Sequence, residues 1–197
     1  MEDSGIVGKP KVVLHTKKFD PRIPEENMMT EYNQPMLLEL MEEQMAMIEW
    51  LKSEGKTKHL ADRILIIFDD MVGSALFGGK KDNPFKRLNT NHRHYSISMM
   101  EVAQAYKELP KTVRTNVTGL VTWEIPNEGE VKVLYEEHPL GMKREVWDQA
   151  YAYCTEGEHD FMYVNYKRPK RLRIMKNFDE VVYVGREGET VENTNDV

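Results

Sequence analysis

The sequence is poor in cysteine and in long apolar runs. Its 197 residues contain one cysteine, Cys154, so the chain can form neither an internal disulfide nor a zinc site built from thiolates. This usage predicts an intracellular, reducing compartment. The longest apolar runs, such as residues 64–68, are far shorter than the roughly 20 residues of a membrane-spanning helix, and the opening sequence MEDSGIVGKPK has no apolar signal-peptide core. We expect neither secretion nor a membrane partner.

The chain also lacks an excess of positive charge. Its 27 Lys and Arg residues are outnumbered by 33 Asp and Glu residues, which gives a net charge of -6. A generally basic nucleic-acid coat is thereby excluded, although a local basic groove is not. A hydrophobic fraction of 40% excludes a wholly disordered chain, and the length favours one domain.

A phosphate-binding P-loop is a third absence. Such a loop needs the pattern Gly-x-x-x-x-Gly-Lys-Ser/Thr after a strand, so that backbone N–H groups hold the phosphates and the hydroxyl binds Mg²⁺. The nearest match, residues 5–10 with the sequence GIVGKP, has the wrong glycine spacing and a proline in place of the hydroxyl. We interpret residues 1–10 as a flexible start rather than as a degenerate P-loop.

The remaining pattern alternates strands with helices. The apolar run at 64–68 is typical of a strand covered on both faces of a parallel sheet. Pro35 begins a helix whose Met-rich apolar stripe indicates core packing, with a Met-lined groove as the alternative. Further strands are predicted at 11–16, 95–103, 117–125, 161–166 and 181–184, and further helices at 109–113 and 143–153. This order predicts an α/β fold with a parallel or mostly parallel sheet, followed by a disordered acidic tail at 185–197.

The strongest chemical signal is the acidic pair Asp69 and Asp70, which directly follows that apolar strand. Ligands of open α/β sheets bind at the carboxyl ends of the strands. One carboxylate there can hold Mg²⁺ through water, and its neighbour can orient or deprotonate an attacking water. This is the Walker B pattern, although an acidic loop with no catalytic role would look the same.

The residues that follow fit phosphoryl chemistry. Arg93 lies in a His-Arg-His sequence before the next strand, and Gln104 closes that strand. A glutamine beside the Walker B strand can sense a γ-phosphate, and an arginine such as Arg93 or Arg114 can offset the charge that develops on it.

Together these features resemble the packaging ATPases of large DNA viruses and related mobile elements, the poxvirus-type branch of the HerA/FtsK superfamily. The resemblance spans residues 12–183 and rests on the Asp69-Asp70 pair, on Arg93-His94, on Gln104 followed by Leu109-Pro110 and Arg114-Thr-Asn116, on Tyr135-Glu-Glu-His, and on Cys154-Thr-Glu before a strand. It implies a RecA-like core, a homo-oligomeric ring on double-stranded DNA, and ATP-driven movement of a genome into a capsid, in a virus factory or virion.

The resemblance also implies residue roles. In an intact family enzyme, with ATP and Mg²⁺ as cofactors, Asp69 would hold Mg²⁺ through water and Asp70 would be the catalytic carboxylate. Gln104 would be the sensor and Arg93 the arginine finger toward a neighbouring subunit, with Arg114 as second choice.

The missing P-loop then predicts a truncated core. Residues 11–184 match the family from its second strand onward, so the first strand, the P-loop and the first helix are absent and we expect no ATPase activity from this chain alone. The alternative is a non-catalytic, ATPase-like module that binds DNA or a partner subunit.

Three other groups of residues are candidates. His92 and His94 could be metal ligands, although a structural or DNA-facing role fits better without a third ligand at fixed spacing. Cys154 near His159 is more typical of a core residue than of a nucleophile with its base. A basic segment is either a solvated edge or a contact for DNA phosphates; its candidate residues are Lys167, Arg168, Lys170, Arg171 and Arg173.

Overall fold

The computed structural model describes residues 11–15, 24–58, 61, 63–71 and 83–182. The chain divides into two compact units, Met1–Val113 and Arg114–Val197. The predicted flexible start and the predicted disordered tail lie outside the described residues. The assignment of residues 11–184 to one truncated domain stays a prediction.

The first unit contains a parallel sheet of four strands. These are β1 (Lys11–His15), β2 (Met28–Met29), β3 (Ile64–Asp69) and β4 (Ile97–Val102), in the spatial order β2-β1-β3-β4. Every neighbouring pair is parallel. The prediction of a parallel sheet is therefore confirmed for this part of the chain.

Helices α1 (Gln34–Ser53) and α2 (Pro84–Asn91) begin in the same way. The Asn33 side chain accepts a hydrogen bond from the Met36 amide at 3.1 Å, and the Asn83 side chain accepts one from the Phe85 amide at 2.9 Å. Each asparagine satisfies an N–H that the helix itself leaves unpaired, and a proline follows it where no N–H is needed. Helix α1 ends before Gly55, whose φ of 69° suits a glycine at a helix end.

One face of this sheet is buried beneath the two helices. Alternate residues of β3 point into it, with Phe68 1% exposed and in edge contact with Phe85 of α2 at 5.2 Å between ring centroids. Met41 of α1, 1% exposed, belongs to the same core, which confirms that the Met-rich stripe packs inside. The core residues are Leu37, Leu40, Met41, Ile64, Ile66, Phe68, Met71, Phe85, Leu88, Ile97 and Val113.

The opposite face of the parallel sheet has no helix among the described residues. Leu65 and Ile67 of β3 are half-buried there, and Met100 and Val102 of β4 are exposed. The connections from β2 through α1 to β3 and from β3 through α2 to β4 advance in one direction across the sheet. Right-handed crossovers must then place both helices on the same face. The expectation of helical cover on both faces is met on one side only within the described part of the chain.

The second unit contains an antiparallel sheet, so the prediction of a mostly parallel sheet is wrong for this half. Strands β5 (Gly119–Thr122), β6 (Met162–Asn165), β7 (Ile174–Lys176) and β8 (Glu180–Val181) lie in sequence order, and each pairs antiparallel with the next.

The error has a specific cause in the connection between β5 and β6. The sequence predicts one helix there, whereas the structure has two, α4 (Glu128–Glu137) and α5 (Arg144–Cys154). One crossover helix returns the chain to the end of the sheet where it started, which gives a parallel strand. A second helix carries it to the other end, and the next strand then runs antiparallel.

Helix α5 contributes four buried residues to the second unit, Trp147, Ala150, Tyr151 and Cys154. Trp147 is 1% exposed, stacks on Tyr151 at 5.2 Å and donates its indole N–H to the His138 carbonyl at 3.0 Å. Met162 and Val164 of β6 are buried with it in the unit's interior. The short helix α3 (Lys111–Thr115) spans the boundary between the units.

Candidate functional site

The acidic pair lies at the carboxyl edge of the parallel sheet. Asp69 is the last residue of β3, and its register partner is Val102, the last residue of β4. Asp70 follows with a φ of 54° and donates its backbone N–H to the Val102 carbonyl at 3.4 Å. Aspartate tolerates this left-handed conformation better than most residues. The strand therefore ends abruptly and leaves two half-buried carboxylates at the edge where open α/β sheets bind ligands.

Gln104 joins this pair from the neighbouring strand. It lies two residues beyond the end of β4, and its Nε2 donates to Asp70 Oδ1 at 3.5 Å, at the limit of hydrogen bonding. The structure thus brings together three of the residues singled out in the sequence, Asp69, Asp70 and Gln104. An amide donor beside two carboxylates can orient a water or a phosphate oxygen.

Glu101 is an ionisable group at this end of β4 that the sequence analysis missed. It is paired in register with the buried Phe68, and its Oε1 is buried without a hydrogen-bond partner among the described residues. Burial raises the pKa of Glu101 to about 7, partly offset by a backbone hydrogen bond. The available signal was a glutamate in register with the apolar residues Ile97 and Met99 of the strand ISMMEV.

Arg93 lies at the other end of the same strand. It belongs to a short 3₁₀ turn, His92–His94, which precedes β4. The six residues of β4 span about 20 Å, so an exposed Arg93 is far from Asp70 of its own chain. An action of Arg93 on a carboxyl-edge site would require a second copy of the chain.

The histidines flanking Arg93 form no metal centre in the described structure. The ring of His92 lies 3.3 Å from the Asn89 carbonyl oxygen. Among the residues that the structure describes, no group of three His, Cys, Asp or Glu side chains could hold a metal ion. The structural or DNA-facing role of this sequence stays a prediction.

Arg114 has a buried partner in the second unit. Its guanidinium lies 3.1 Å from the Glu137 carboxylate, and the two side chains are 10% and 9% exposed. Glu137 is the last residue of α4, so this ion pair fastens α3 to the end of α4. A catalytic role for Arg114 stays a prediction, whereas its structural contact is explicit.

A second buried polar contact lies next to that pair. His138, 3% exposed, is hydrogen-bonded through Nδ1 to the Tyr166 hydroxyl. Burial is the main cause that lowers the pKa of His138 and that raises the pKa of Tyr166 to about 12. Both groups are therefore held neutral, which suits a hydrogen bond inside the unit.

The basic segment forms the connection between β6 and β7. Lys167, Arg168, Lys170 and Arg171 are exposed. Arg173 is half-buried, lies 5.7 Å from the Tyr166 ring centroid and donates to the Arg168 carbonyl at 3.1 Å. The five candidate cations therefore share one loop, as a phosphate contact would require.

Lys176 and Cys154 have other roles. Lys176 pairs with Glu156 at 2.5 Å and Asp160 at 3.0 Å. Cys154 is fully buried, and burial raises the pKa of its thiol to about 12, whereas His159 is exposed. A thiol so protonated is a poor nucleophile, which supports the interpretation of Cys154 as a core residue.

The family model of the poxvirus A32 protein matches residues 24–151. The chain belongs to this family. The matched range contains Asp69, Asp70, Gln104, Arg93 and Arg114, and it ends before the basic segment. No curated protein matches the chain.

A solved structure has a similar fold. The genome packaging NTPase B204 of Sulfolobus turreted icosahedral virus 2, in complex with AMP, superposes with a TM-score of 0.51, covering 80% of this A32-family chain and 78% of the other, at 9% sequence identity. At this identity the likeness shows the fold alone. No helix in the described part of the chain is long and apolar enough to cross a membrane.

Proposed function

We propose that this chain is the carboxyl-terminal portion of a RecA-like ATPase of the HerA/FtsK type, which couples ATP hydrolysis to movement of double-stranded DNA into a viral capsid. The contact between Gln104 and Asp70 at the carboxyl edge of the parallel sheet carries the proposal. It joins a Walker B carboxylate to a sensor amide, within the residues matched by the A32 family model.

In this proposal Asp69 holds Mg²⁺ through water and Asp70 orients and deprotonates the attacking water. The residues fit such a metal, because Mg²⁺ on a nucleotide is usually held by one or two carboxylates together with phosphates and waters. This way of binding Mg²⁺ does not need a group of three protein ligands, and none is found among the described residues. Bound Mg²⁺ would neutralise charge on the transferred phosphoryl group, and Gln104 would contact the γ-phosphate.

The phosphate-binding loop belongs on the open side of the parallel sheet. Within the described residues, β4 has β3 on one side and no strand on the other. A further parallel strand could pair with β4 on that side. A right-handed connection from this strand to β1 would run across the sheet in the opposite direction to the other two connections, so its helix would lie on the bare face. Such a strand and helix would therefore precede β1 in the sequence. We propose that a strand, P-loop and helix ahead of Lys11, or on a separate polypeptide, complete the site.

The arginine finger would come from a neighbouring copy. Arg93 is exposed and lies at the amino edge of the sheet, about 20 Å of strand away from Asp70. It can therefore act on a nucleotide only across a subunit boundary, as in a ring. Arg114 is the weaker choice because its guanidinium pairs with Glu137.

DNA contact is assigned to the basic segment, whose exposed side chains can neutralise phosphates without reading sequence. Changing Lys167, Arg168, Lys170, Arg171 and Arg173 together to alanine should make duplex binding less dependent on salt. The slope of the logarithm of the binding constant against the logarithm of the salt concentration should become shallower by about 0.9 for each lost phosphate contact. An unchanged slope would mean that the segment is only a solvated loop.

The decisive experiment is ATP hydrolysis with and without the proposed unit. The chain alone should show no turnover above background, because the phosphates lack their backbone cradle. Joining a family-type strand, P-loop and helix ahead of Lys11 should create ATP turnover. Asp70→Asn and Gln104→Ala should each abolish this turnover. The control Glu42→Gln, at an exposed position of α1, should leave it intact.

Two outcomes would contradict the proposal. Turnover by the chain alone that disappears with Asp70→Asn would reveal a nucleotide site that needs no added unit. A folded joined chain without turnover would favour the non-catalytic module, which the absent P-loop motif also supports. Sequencing of the DNA upstream of Met1 discriminates between these functions, since an encoded P-loop favours the enzyme.

A further inference from the structure

The antiparallel sheet carries a continuous row of aromatic rings. The Trp123 and Phe161 ring centroids are 5.6 Å apart, those of Phe161 and Phe178 4.9 Å, and those of Phe178 and Tyr163 5.0 Å. Trp123 and Phe178 are 53% and 63% exposed. Four rings in mutual contact with two largely exposed form a patch of the kind that marks interaction sites.

Strand alternation places this row on the outer face of the sheet. Met162 and Val164 of β6 are buried, so Phe161 and Tyr163 between them point the other way. Thr122 of β5 is the register partner of Met162, and the next residue, Trp123, falls on the same outer side as Phe161.

The rings are held in place rather than loosely attached. The Trp123 carbonyl accepts a hydrogen bond from the buried Tyr151 at 2.9 Å. Phe178 follows Asn177, which has a φ of 56° and donates its side-chain amide to Asp160 at 3.1 Å. A surface presented with little freedom binds at a low entropy cost.

The basic segment lies at the opposite end of the same strand. Strand β6 begins next to Phe161 and ends at Asn165, and Lys167 and Arg168 follow at once. Acidic side chains, Asp179 and Glu124, accompany the aromatic end. Along β6 the face thus has cations at one end and stacking rings at the other, with carboxylates beside the rings.

We propose that this face binds single-stranded nucleic acid. Unpaired bases stack on Trp123, Phe178 and Tyr163, while the phosphates follow the basic segment. Proteins that bind single strands combine such a cationic track with aromatic platforms. A duplex keeps its bases inside and can use only the cations. The rings therefore distinguish this surface from the proposed duplex contact, which uses the basic segment alone. They offer single-stranded DNA and RNA the same chemistry.

Fluorescence anisotropy on the full chain tests the proposal. The probes are an oligothymidylate of about 12 nucleotides, the matching oligouridylate, and a duplex of equal length. Trp123→Ala and Phe178→Ala should each weaken single-strand binding about tenfold and leave duplex binding unchanged. Trp50→Ala is the matched control, because Trp50 is 52% exposed but lies on α1 of the first unit.

The charge arrangement gives a second readout. Asp179→Asn should tighten single-strand binding by removing repulsion, by about two- to fivefold at low salt, with no loss of stability. Equal binding of DNA and RNA supports recognition of the shared base and phosphate chemistry, and preference for one identifies the natural strand.

Several results would overturn the proposal. These are no single-strand binding by the folded chain, equal losses on duplex and single strand for Trp123→Ala, and an effect of Trp50→Ala as large as that of Trp123→Ala. Self-association that disappears with Phe178→Ala would assign the face to a second copy of the chain. None of these results bears on ATP hydrolysis, so the proposed function is tested separately.

Discussion

The two units expose apolar side chains for different physical reasons. In the first, Met100 and Val102 lie on the bare face of a parallel sheet. Parallel sheets are almost always covered on both faces, so this exposure fits the further strand and helix that we propose for this sheet. In the second, Trp123 and Phe178 lie on the outer face of an antiparallel sheet, where one solvated face is normal. Their exposure therefore leaves this face available for the proposed binding of single strands.

The two units also differ in the hydrogen bonding of their buried polar side chains. The second unit has two buried polar contacts, Arg114 with Glu137 and His138 with Tyr166. In the first unit, Glu101 buries an oxygen that has no hydrogen-bond partner among the described residues. Buried polar groups are normally satisfied. The carboxyl edge of the first unit thus keeps a buried group suited to a further contact.

The largest expected effect tests whether Arg114 is structural. Arg114→Met should lower the free energy of unfolding by about 3–5 kcal/mol, because it leaves the Glu137 carboxylate buried without its cation. The double variant Arg114→Met, Glu137→Met should recover most of that loss. Urea unfolding measures both. A single variant of normal stability that loses turnover in an assembled ring would instead make Arg114 the finger.

The buried carboxyl of the first unit gives the next largest effect. Its pKa rises from an ordinary 4.5 to about 7 on folding, so the folded state binds the proton more tightly. The resulting stability is complete below about pH 4.5 and falls by about 3 kcal/mol as pH rises through 7. Glu101→Gln should therefore match the parent at pH 4 and exceed its unfolding free energy at pH 8.

Thermal unfolding of the two proteins at several pH values measures that difference. The control is Glu108→Gln, at an exposed carboxylate in the turn after β4. A difference that does not change with pH would show that Glu101 is ionised in the folded chain and has a partner that stabilises its charge.

A smaller effect concerns the buried hydrogen bond between His138 and Tyr166 in the second unit. Tyr166→Phe removes the hydroxyl bonded to His138 Nδ1 and should cost about 1–2 kcal/mol of unfolding free energy. Tyr163→Phe, on the outer face, should cost much less. Chemical denaturation distinguishes the two, and equal losses would mean that the His138 contact adds nothing beyond the ring packing.

The smallest effect is expected on the bare face. Met100→Lys should change the unfolding free energy by no more than about 0.5 kcal/mol, whereas Met99→Lys, which faces the core, should destabilise strongly. In a chain joined to the proposed strand–loop–helix unit, Met100→Lys should become destabilising as well. If it does not, the added helix lies elsewhere and the bare face is no docking surface.

Much of the first unit was predictable from sequence. The apolar run before Asp69, the proline at the start of α1 and the Gly55 stop each encode a local preference, so strand β3, helix α1 and the position of the acidic pair at the strand's end were identified correctly. Of the two helices between β5 and β6, α5 was predicted and α4 was not, because α4 has a polar sequence, EGEVKVLYEE. That omission led to the wrong strand direction in the second unit.

The sequence alone determined the residue types and the order of motifs: acidic pair, Arg93, Gln104 and basic segment. Their chemistry is local and can be read from neighbours along the chain. Only the tertiary structure decided that Gln104 meets Asp70, that Arg93 lies at the opposite edge, that Arg114 pairs with Glu137, and that four aromatic residues from three segments form one surface. These facts depend on strand register and direction, which arise from long-range pairing that no local propensity encodes.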